Sequence, residues 1–230
     1  MILTWQQIPS PIISEILAGT SCDGVVLDTE HGSFNNSDIV SCIQAVTLSG
    51  KKCLVRLTEA TVSMTRLCLD MGASGIIFST VETHAQAESI MSVCHFPSQK
   101  KRGTRGMGLV RQNGWGQKGL KVSNPIMIAQ IETKKGVSNI NQIASYDFDY
   151  YLVGPYDLTS SLGCEGDFQN PDYLKALSNI TKAVGKHKMG VHIPSNVKNE
   201  LDKYNGYGLK ALGMDTTLLI ESQMEALSNA

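Results

Sequence analysis

No stretch of this 230-residue sequence approaches the roughly 20 consecutive apolar residues of a membrane-spanning helix. The opening residues, MILTWQQIPSP, lack both the basic start and the apolar run of a secretory signal. These absences predict a cytoplasmic protein with no membrane partner. Charge of one sign is also missing: 20 basic side chains face 21 acidic ones, with no block of like charge. A nucleic-acid surface is therefore not expected. The six cysteines (Cys22, Cys42, Cys53, Cys68, Cys94 and Cys164) include no CxxC pair. Most fall in apolar stretches, which favours buried free thiols over disulfides or a zinc site. No linker, low-complexity segment or composition break divides the chain, so residues 1–230 are read as one domain.

What is present is an alternation. Eight short apolar runs recur: Ile2–Trp5, Gly24–Asp28, Cys53–Leu57, Gly75–Ser79, Ile126–Ile131, Tyr150–Val153, Gly190–Ile193 and Leu209–Met214. Continuous runs of this kind suit parallel strands buried on both faces. Helical periodicity lies between them. Ile12–Leu17 gives the first helix, and Asn36 or Ser37 is the expected cap of the second, with Ile39, Val40, Ile43 and Val46 as its apolar face. Further helices are expected around Val62–Leu69, Ala85–Val93 and Val137–Ile143, then from Pro171 to Val184, with proline suited to the first turn. Val197–Leu201 and Leu218–Leu227 supply the last two. Eight strand–helix units predict a closed (β/α)8 barrel, a fold that typically occupies about 250 residues. An open doubly wound sheet is the alternative, but no G-x-G-x-x-G follows the first strand. The one long irregular stretch, Pro97 to Asn124, is rich in Gly, Arg and Lys.

Barrel enzymes carry their chemistry at the C-terminal ends of the strands. Strand 2 ends in LDTEH and delivers Asp28, Glu30 and His31; strand 3 ends at Arg56; strand 5 places Gln130 and Glu132; strand 6 runs through a Gly-Pro turn to Asp157. Two carboxylates with open coordination positions suit a hard divalent ion, Mg2+ or Mn2+. An arginine beside them can bind a carboxylate or an oxyanion. Duller readings stay open: Glu132 and Asp157 as rim ion-pair partners, His31 as a ligand, a base or a satisfied rim residue, and Arg56 as a salt-bridge partner of Glu30. His84, His95, His187 and His192 belong to no motif and read as structural or solvent-facing.

The segments VVLDTEHGSFNN, LVRL, CLDMGASGII, TRGMG, QIETKKGVSNI, VGPYDLTSSLG and GMDTTLL occur in this order over most of the chain. Together they resemble the HpcH/HpaI family of class II pyruvate aldolases, the 4-hydroxy-2-oxo-heptanedioate aldolase type. The resemblance implies Glu132 and Asp157 as metal ligands, with Co2+ joining Mg2+ and Mn2+ as candidate ions. It implies His31 as the acid/base residue, with Asp28 beside it, and Arg56 as the group that steadies a pyruvate enolate. Gln130 and the backbone N–H of Tyr156 resemble pyruvate contacts. Asp70 resembles the carboxylate that raises the basicity of the histidine, which from a helix end requires a subunit contact; a helix-terminal turn residue is the alternative. Implied partners are a small keto acid, an aldehyde and further copies of the chain, up to a hexamer that exchanges its last helix.

Two departures from the family pattern stand out. The chain begins almost at strand 1, which predicts a less well closed barrel bottom, and the segment Gly106–Asn124 is short and glycine-rich. Among rival chemistries, a Schiff-base aldolase lacks its lysine, since Lys51 and Lys52 precede strand 3. An acyl-CoA lyase would use a basic groove, for which Lys100, Lys101, Arg102 and Arg105 are candidates, although a solvated loop face is the favoured reading. Oxaloacetate decarboxylation and a catalytically idle binding barrel complete the alternatives.

Overall fold

The computed structural model describes residues 1–97, 103–117, 119 and 124–228. Its strands are β1 (Ile2–Gln6), β2 (Gly24–Asp28), β3 (Lys52–Leu57), β4 (Gly75–Phe78), β5 (Ile126–Ile131), β6 (Tyr150–Val153), β7 (Met189–Ile193) and β8 (Leu209–Met214). Each pairs in parallel with the next, and β8 returns to β1, closing an eight-stranded (β/α)8 barrel. At the bottom of the barrel β1 and β8 are joined. Ile2 pairs with Lys210, and the Met1 ammonium donates to the Gly208 carbonyl at 2.8 Å. The cysteines are free, and all but Cys164 are buried.

The helices are α1 (Pro11–Ala18), α2 (Asn36–Leu48), α3 (Val62–Asp70), α4 (His84–Cys94), α5 (Lys134–Ser138), α6 (Ile140–Ile143), α7 (Pro155–Leu162), α8 (Pro171–Val184), α9 (Val197–Glu200) and α10 (Asp215–Ser228). The second helix is capped one residue earlier than expected. Asn35 accepts from the N–H groups of Ser37 and Asp38, and the Asp38 carboxylate accepts from the Asn35 N–H in return. The single helix expected at Val137–Ile143 is two short ones that meet at Asn139. Helix α7 was not anticipated; Gly154-Pro155 starts it rather than forming a free turn, with proline at N1 where no N–H is needed. Among the described residues no helix is long and apolar enough to cross a membrane. The basic residues Lys100, Lys101 and Arg102 lie outside the described residues, whereas Arg105 is buried.

Side chains alternate between two cores because successive strand residues point to opposite faces. One set, including Val25, Leu27, Val55, Ile76, Ala129 and Val153, faces the helices. The other set fills the barrel with Leu3, Trp5, Val26, Leu54, Ile77, Ile128, Leu152, Leu209 and Ala211. The lumen is thus a packed plug rather than a pore, as is usual for this fold.

Candidate active site

The same period-two rule builds the site. Two residues beyond each plug residue, the inward position is Asp28 after Val26, Arg56 after Leu54, Ser79 after Ile77, and Gln130 after Ile128. His192 follows Gly190 on β7 in the same way. A polar layer therefore caps the apolar plug at the C-terminal rim. A cavity of ≈ 330 Å³ opens there, lined among others by Trp5, Gln7, Asp28, His31, Arg56, Gln130, Tyr156, Asp157 and His192.

Asp28 is the hub of this layer and is fully buried. Its Oδ1 accepts from Arg56 Nε at 2.9 Å and from the backbone N–H groups of Glu30 and His31 at 3.1 and 3.2 Å. Its Oδ2 accepts from Arg56 Nη2 at 2.6 Å, Trp5 Nε1 at 3.0 Å and Gln7 Nε2 at 3.2 Å. Burial alone would raise its pKa, but the Arg56 guanidinium and the Trp5 and Gln7 donors outweigh it and hold the carboxyl at about 2. Asp28 is therefore a fixed anion.

Arg56 is tied on a second side, since Nη1 lies 2.7 Å from Glu30 Oε2, which also accepts from Ser79 Oγ at 2.8 Å. The salt-bridge reading of Arg56 is thus correct as far as it goes. A guanidinium carries five N–H donors, and these contacts use Nε and one hydrogen on each terminal nitrogen. Two N–H groups have no partner among the described residues.

Glu132 is also buried, at 4 % exposure. Its Oε1 accepts from the Thr80 N–H at 2.7 Å and from Thr80 Oγ1 at 2.6 Å, and its Oε2 accepts from Gln130 Nε2. Thr80 sits at φ 52°, a left-handed conformation that costs a threonine about 1–2 kcal/mol. That strain aims both of its donors at one oxygen. Burial raises the Glu132 pKa, and the negative charges of Glu30 and Asp157 add to it against the pull of the Thr80 and Gln130 hydrogen bonds. Gln130 Oε1 is buried and has no hydrogen-bond partner. Gly154 allows the close approach: a Cβ there would come within 2.6 Å of Glu132 Oε2.

Asp157 lies in the first turn of α7 and is exposed to the cavity side of the rim. The Tyr156 N–H belongs to that same turn, whose N–H groups have no partner within the helix and carry its positive dipole end. His31 is exposed at the mouth. Asp70 is elsewhere: it ends α3, does not line the mouth cavity, and accepts from Arg105 Nη2 at 3.0 Å. Arg105 lies over Phe96 and also donates to Gln112 at 2.6 Å.

Several site residues escaped sequence reasoning. Trp5 and Gln7 follow directly from the strand-end rule applied to β1. Thr80 gave no signal, because only its backbone conformation makes it a double donor. Asp215, in the GMDTT segment, accepts from the N–H groups of Gln7 and Ile8 at 2.9 and 2.8 Å and so fixes the loop carrying Gln7. His192, expected to be structural or solvent-facing, stacks on Trp5 with centroids 4.2 Å apart and also lines the mouth. His84 lies against Tyr146, and His95 has its Nδ1 2.8 Å from the Met91 carbonyl.

A closed parallel barrel with carboxylates, a guanidinium and imidazoles gathered at its C-terminal rim has the architecture of a barrel enzyme. The family model described as HpcH/HpaI aldolase/citrate lyase matches residues 2–222, and the chain belongs to that family of lyases. A relative named hydroxypyruvate/pyruvate aldolase, from Rhizorhabdus wittichii, is 27% identical over 98% of this chain and 92% of its own length. Another, named 5-keto-4-deoxy-D-glucarate aldolase, from Shigella dysenteriae, is 30% identical over 92% of this chain and 84% of its own. The crystal structure of an HpcH/HpaI aldolase/citrate lyase family protein from Burkholderia cenocepacia superposes with TM-score 0.91. It is 27% identical and covers 100% of this chain and 93% of that one.

Proposed function

We propose that the protein is a divalent-metal-dependent class II aldolase that reversibly cleaves a 4-hydroxy-2-keto acid to pyruvate and an aldehyde. The observation that carries this reading is Glu132, buried among negative charge with an unpartnered Gln130 Oε1 beside it. A carboxylate pushed toward its neutral form first by burial and further by the charges of Glu30 and Asp157 would be relieved by a cation. Among the described residues no three His, Cys, Asp or Glu side chains converge as a metal-binding group. Glu132 and Asp157, near enough to act on each other electrostatically, would instead hold a hard ion that keeps water or substrate oxygens, such as Mg2+, Mn2+ or Co2+, and Gln130 Oε1 would accept from such a water. When bound, the ion supplies Lewis-acid stabilisation of negative charge on a keto oxygen.

The chain's own residues do the rest. The two unpaired N–H groups of Arg56 would donate to the oxygen on which charge develops as the C3–C4 bond breaks. The Tyr156 N–H and Gln130 would orient the keto-acid end. His31, exposed at the mouth, would take the C4 hydroxyl proton and return one to the enolate carbon. Asp28 acts through others, holding Arg56 and the His31 backbone in place. A pyruvate-release assay over a panel of 4-hydroxy-2-keto acids with Mg2+, Mn2+ and Co2+ tests the reading. Turnover is expected to disappear with EDTA, and borohydride with pyruvate is expected not to label the protein. Turnover that survives exhaustive chelation would overturn the metal role, and silence over the whole panel would favour a decarboxylase or acyl-CoA lyase.

A homo-oligomer is part of the same reading. Helix α10 leaves Leu219, Ile220, Met224 and Leu227 at 56–66% exposure, an apolar surface of the kind that marks a contact. Light scattering is expected to give a multiple of the 24.9 kDa chain mass; a monomer at micromolar concentration would count against it. Asp70 acting on the His31 of another subunit would require such a contact.

A further inference from the structure

A second cavity, of ≈ 610 Å³, adjoins the mouth, and Pro155, Tyr156, His192 and Pro194 line both. His192 therefore stands where a substrate leaves the mouth for the larger space. Its ring is locked from two sides. It stacks on Trp5 at an interplanar angle of 16° and hydrogen-bonds to the backbone of Gly213. Gly213 has a φ of 71°, a left-handed turn of β8 that an alanine would strain.

The remaining ring nitrogen, Nε2, is buried and has no hydrogen-bond partner. Orphaned buried groups are rare in native proteins and call for a ligand or water. Which partner Nε2 can take follows from the tautomer. The bond to the Gly213 backbone favours the protonated form, so the ring donates there, through Nδ1, to the carbonyl oxygen. Burial and the nearby Arg56 charge hold the imidazole down to about 4, against the weaker effects of Gly213 and Asp28, so the ring is neutral at physiological pH. Nε2 then presents a lone pair. It accepts from an O–H and repels a carbonyl or carboxylate oxygen.

Resting on the aldolase reading above, we propose that His192 determines specificity by accepting a hydrogen bond from a hydroxyl group on the aldehyde half of the substrate. The aldolase reading assigns the keto-acid half to Glu132, Gln130, Arg56 and the Tyr156 N–H, which leaves His192, at the junction of the mouth and the second cavity, for the other half. A site built to hydrogen-bond a hydroxyl discriminates strongly against the analogue lacking it, because its buried polar atom is left unpaired. His192 thus selects hydroxyaldehydes over their deoxy counterparts.

The test compares kcat/KM for addition of pyruvate to glycolaldehyde and to acetaldehyde. The wild-type enzyme is expected to favour glycolaldehyde roughly tenfold to a hundredfold. His192→Leu is expected to collapse that ratio toward one, and His192→Gln, which keeps an acceptor oxygen, to recover part of it. An unchanged ratio in a folded His192→Leu protein, or no preference in the wild type, would overturn the proposal. Deuterium uptake by the pyruvate methyl group in D2O, which needs no aldehyde, separates the two ideas. Exchange with an unchanged ratio removes the role of His192 alone; no exchange and no aldol product removes the aldolase reading, and the His192 role with it.

Discussion

Glu132→Ala is expected to lower turnover roughly a thousandfold, equivalent to about 4 kcal/mol of transition-state stabilisation. Lewis-acid stabilisation of a developing oxyanion is worth several kcal/mol, and alanine would take away the buried half of the carboxylate pair proposed to hold the ion. The loss is expected in kcat as well as in apparent metal affinity. Thr80 and Gln130 donate three hydrogen bonds to this carboxylate, so the variant leaves those donors facing empty space. Glu132→Gln separates the effects. It keeps an acceptor for Thr80 and much of the shape, but removes the charge, and is expected to lose nearly as much activity with less loss of stability. The measurement is pyruvate release across a titration of Mn2+. Retention of more than a tenth of wild-type kcat by Glu132→Ala at saturating metal would remove Glu132 from the reaction.

Asp28→Ala is expected to be the most destabilising single change at the rim, costing about 3–5 kcal/mol and lowering Tm by roughly 10 °C. The reason is what it leaves behind. Arg56 is 7 % exposed, and without Asp28 its charge keeps only Glu30. Trp5, Gln7 and the backbone of Glu30 and His31 lose an acceptor at the same time. The linkage to pH has a definite sign. Asp28 ionises at about 2 in the folded chain against 3.8 in an ordinary aspartate. Its contribution, about 2 kcal/mol by that difference, is complete above the unfolded value and is lost as pH falls from about 4 through 2. The wild type is thus expected to show a falling Tm in that acid window, and Asp28→Ala a flatter one. Thermal melts by circular dichroism between pH 7 and 2 read both; a Tm within 2 °C of wild type at pH 7 would refute the account.

Asp70 and His192 show where sequence logic stops. Asp70 is prominent in CLDMGA, yet within one chain its carboxylate is occupied by Arg105 and does not line the mouth cavity. Nothing in the sequence around Asp70 pairs it with a residue 35 positions away. His192 sat in no motif, so it read as structural; period-two alternation on β7 nevertheless turns it inward, onto Trp5. Its parity was legible, but its neighbours were not. Helix α7 was missed for a different reason. Gly154-Pro155 is a turn signal as often as a helix start, and what decides is the packing of Leu158 and Leu162 against the outer core.

The barrel and its carboxylate rim were determined by the sequence alone. Strand spacing, the continuity of apolar runs and the polar residues that end them fix the closed (β/α)8 arrangement and place Asp28, Arg56, Gln130 and Glu132 on inward positions, because alternation with period two leaves no other choice. Asp157, the other half of the candidate metal pair, was visible as a polar residue just past the end of β6, although the helix that carries it was not. Only the tertiary structure decided how each of them is held. Thr80 is brought onto Glu132 by a left-handed backbone, Arg56 is divided between Asp28 and Glu30, and Asp215 closes the loop after β1 from the far end of the chain. These are contacts between residues 26 to 208 positions apart. They depend on the stagger of neighbouring strands and the conformation of single rim residues, which a one-dimensional pattern of apolar and polar positions does not encode.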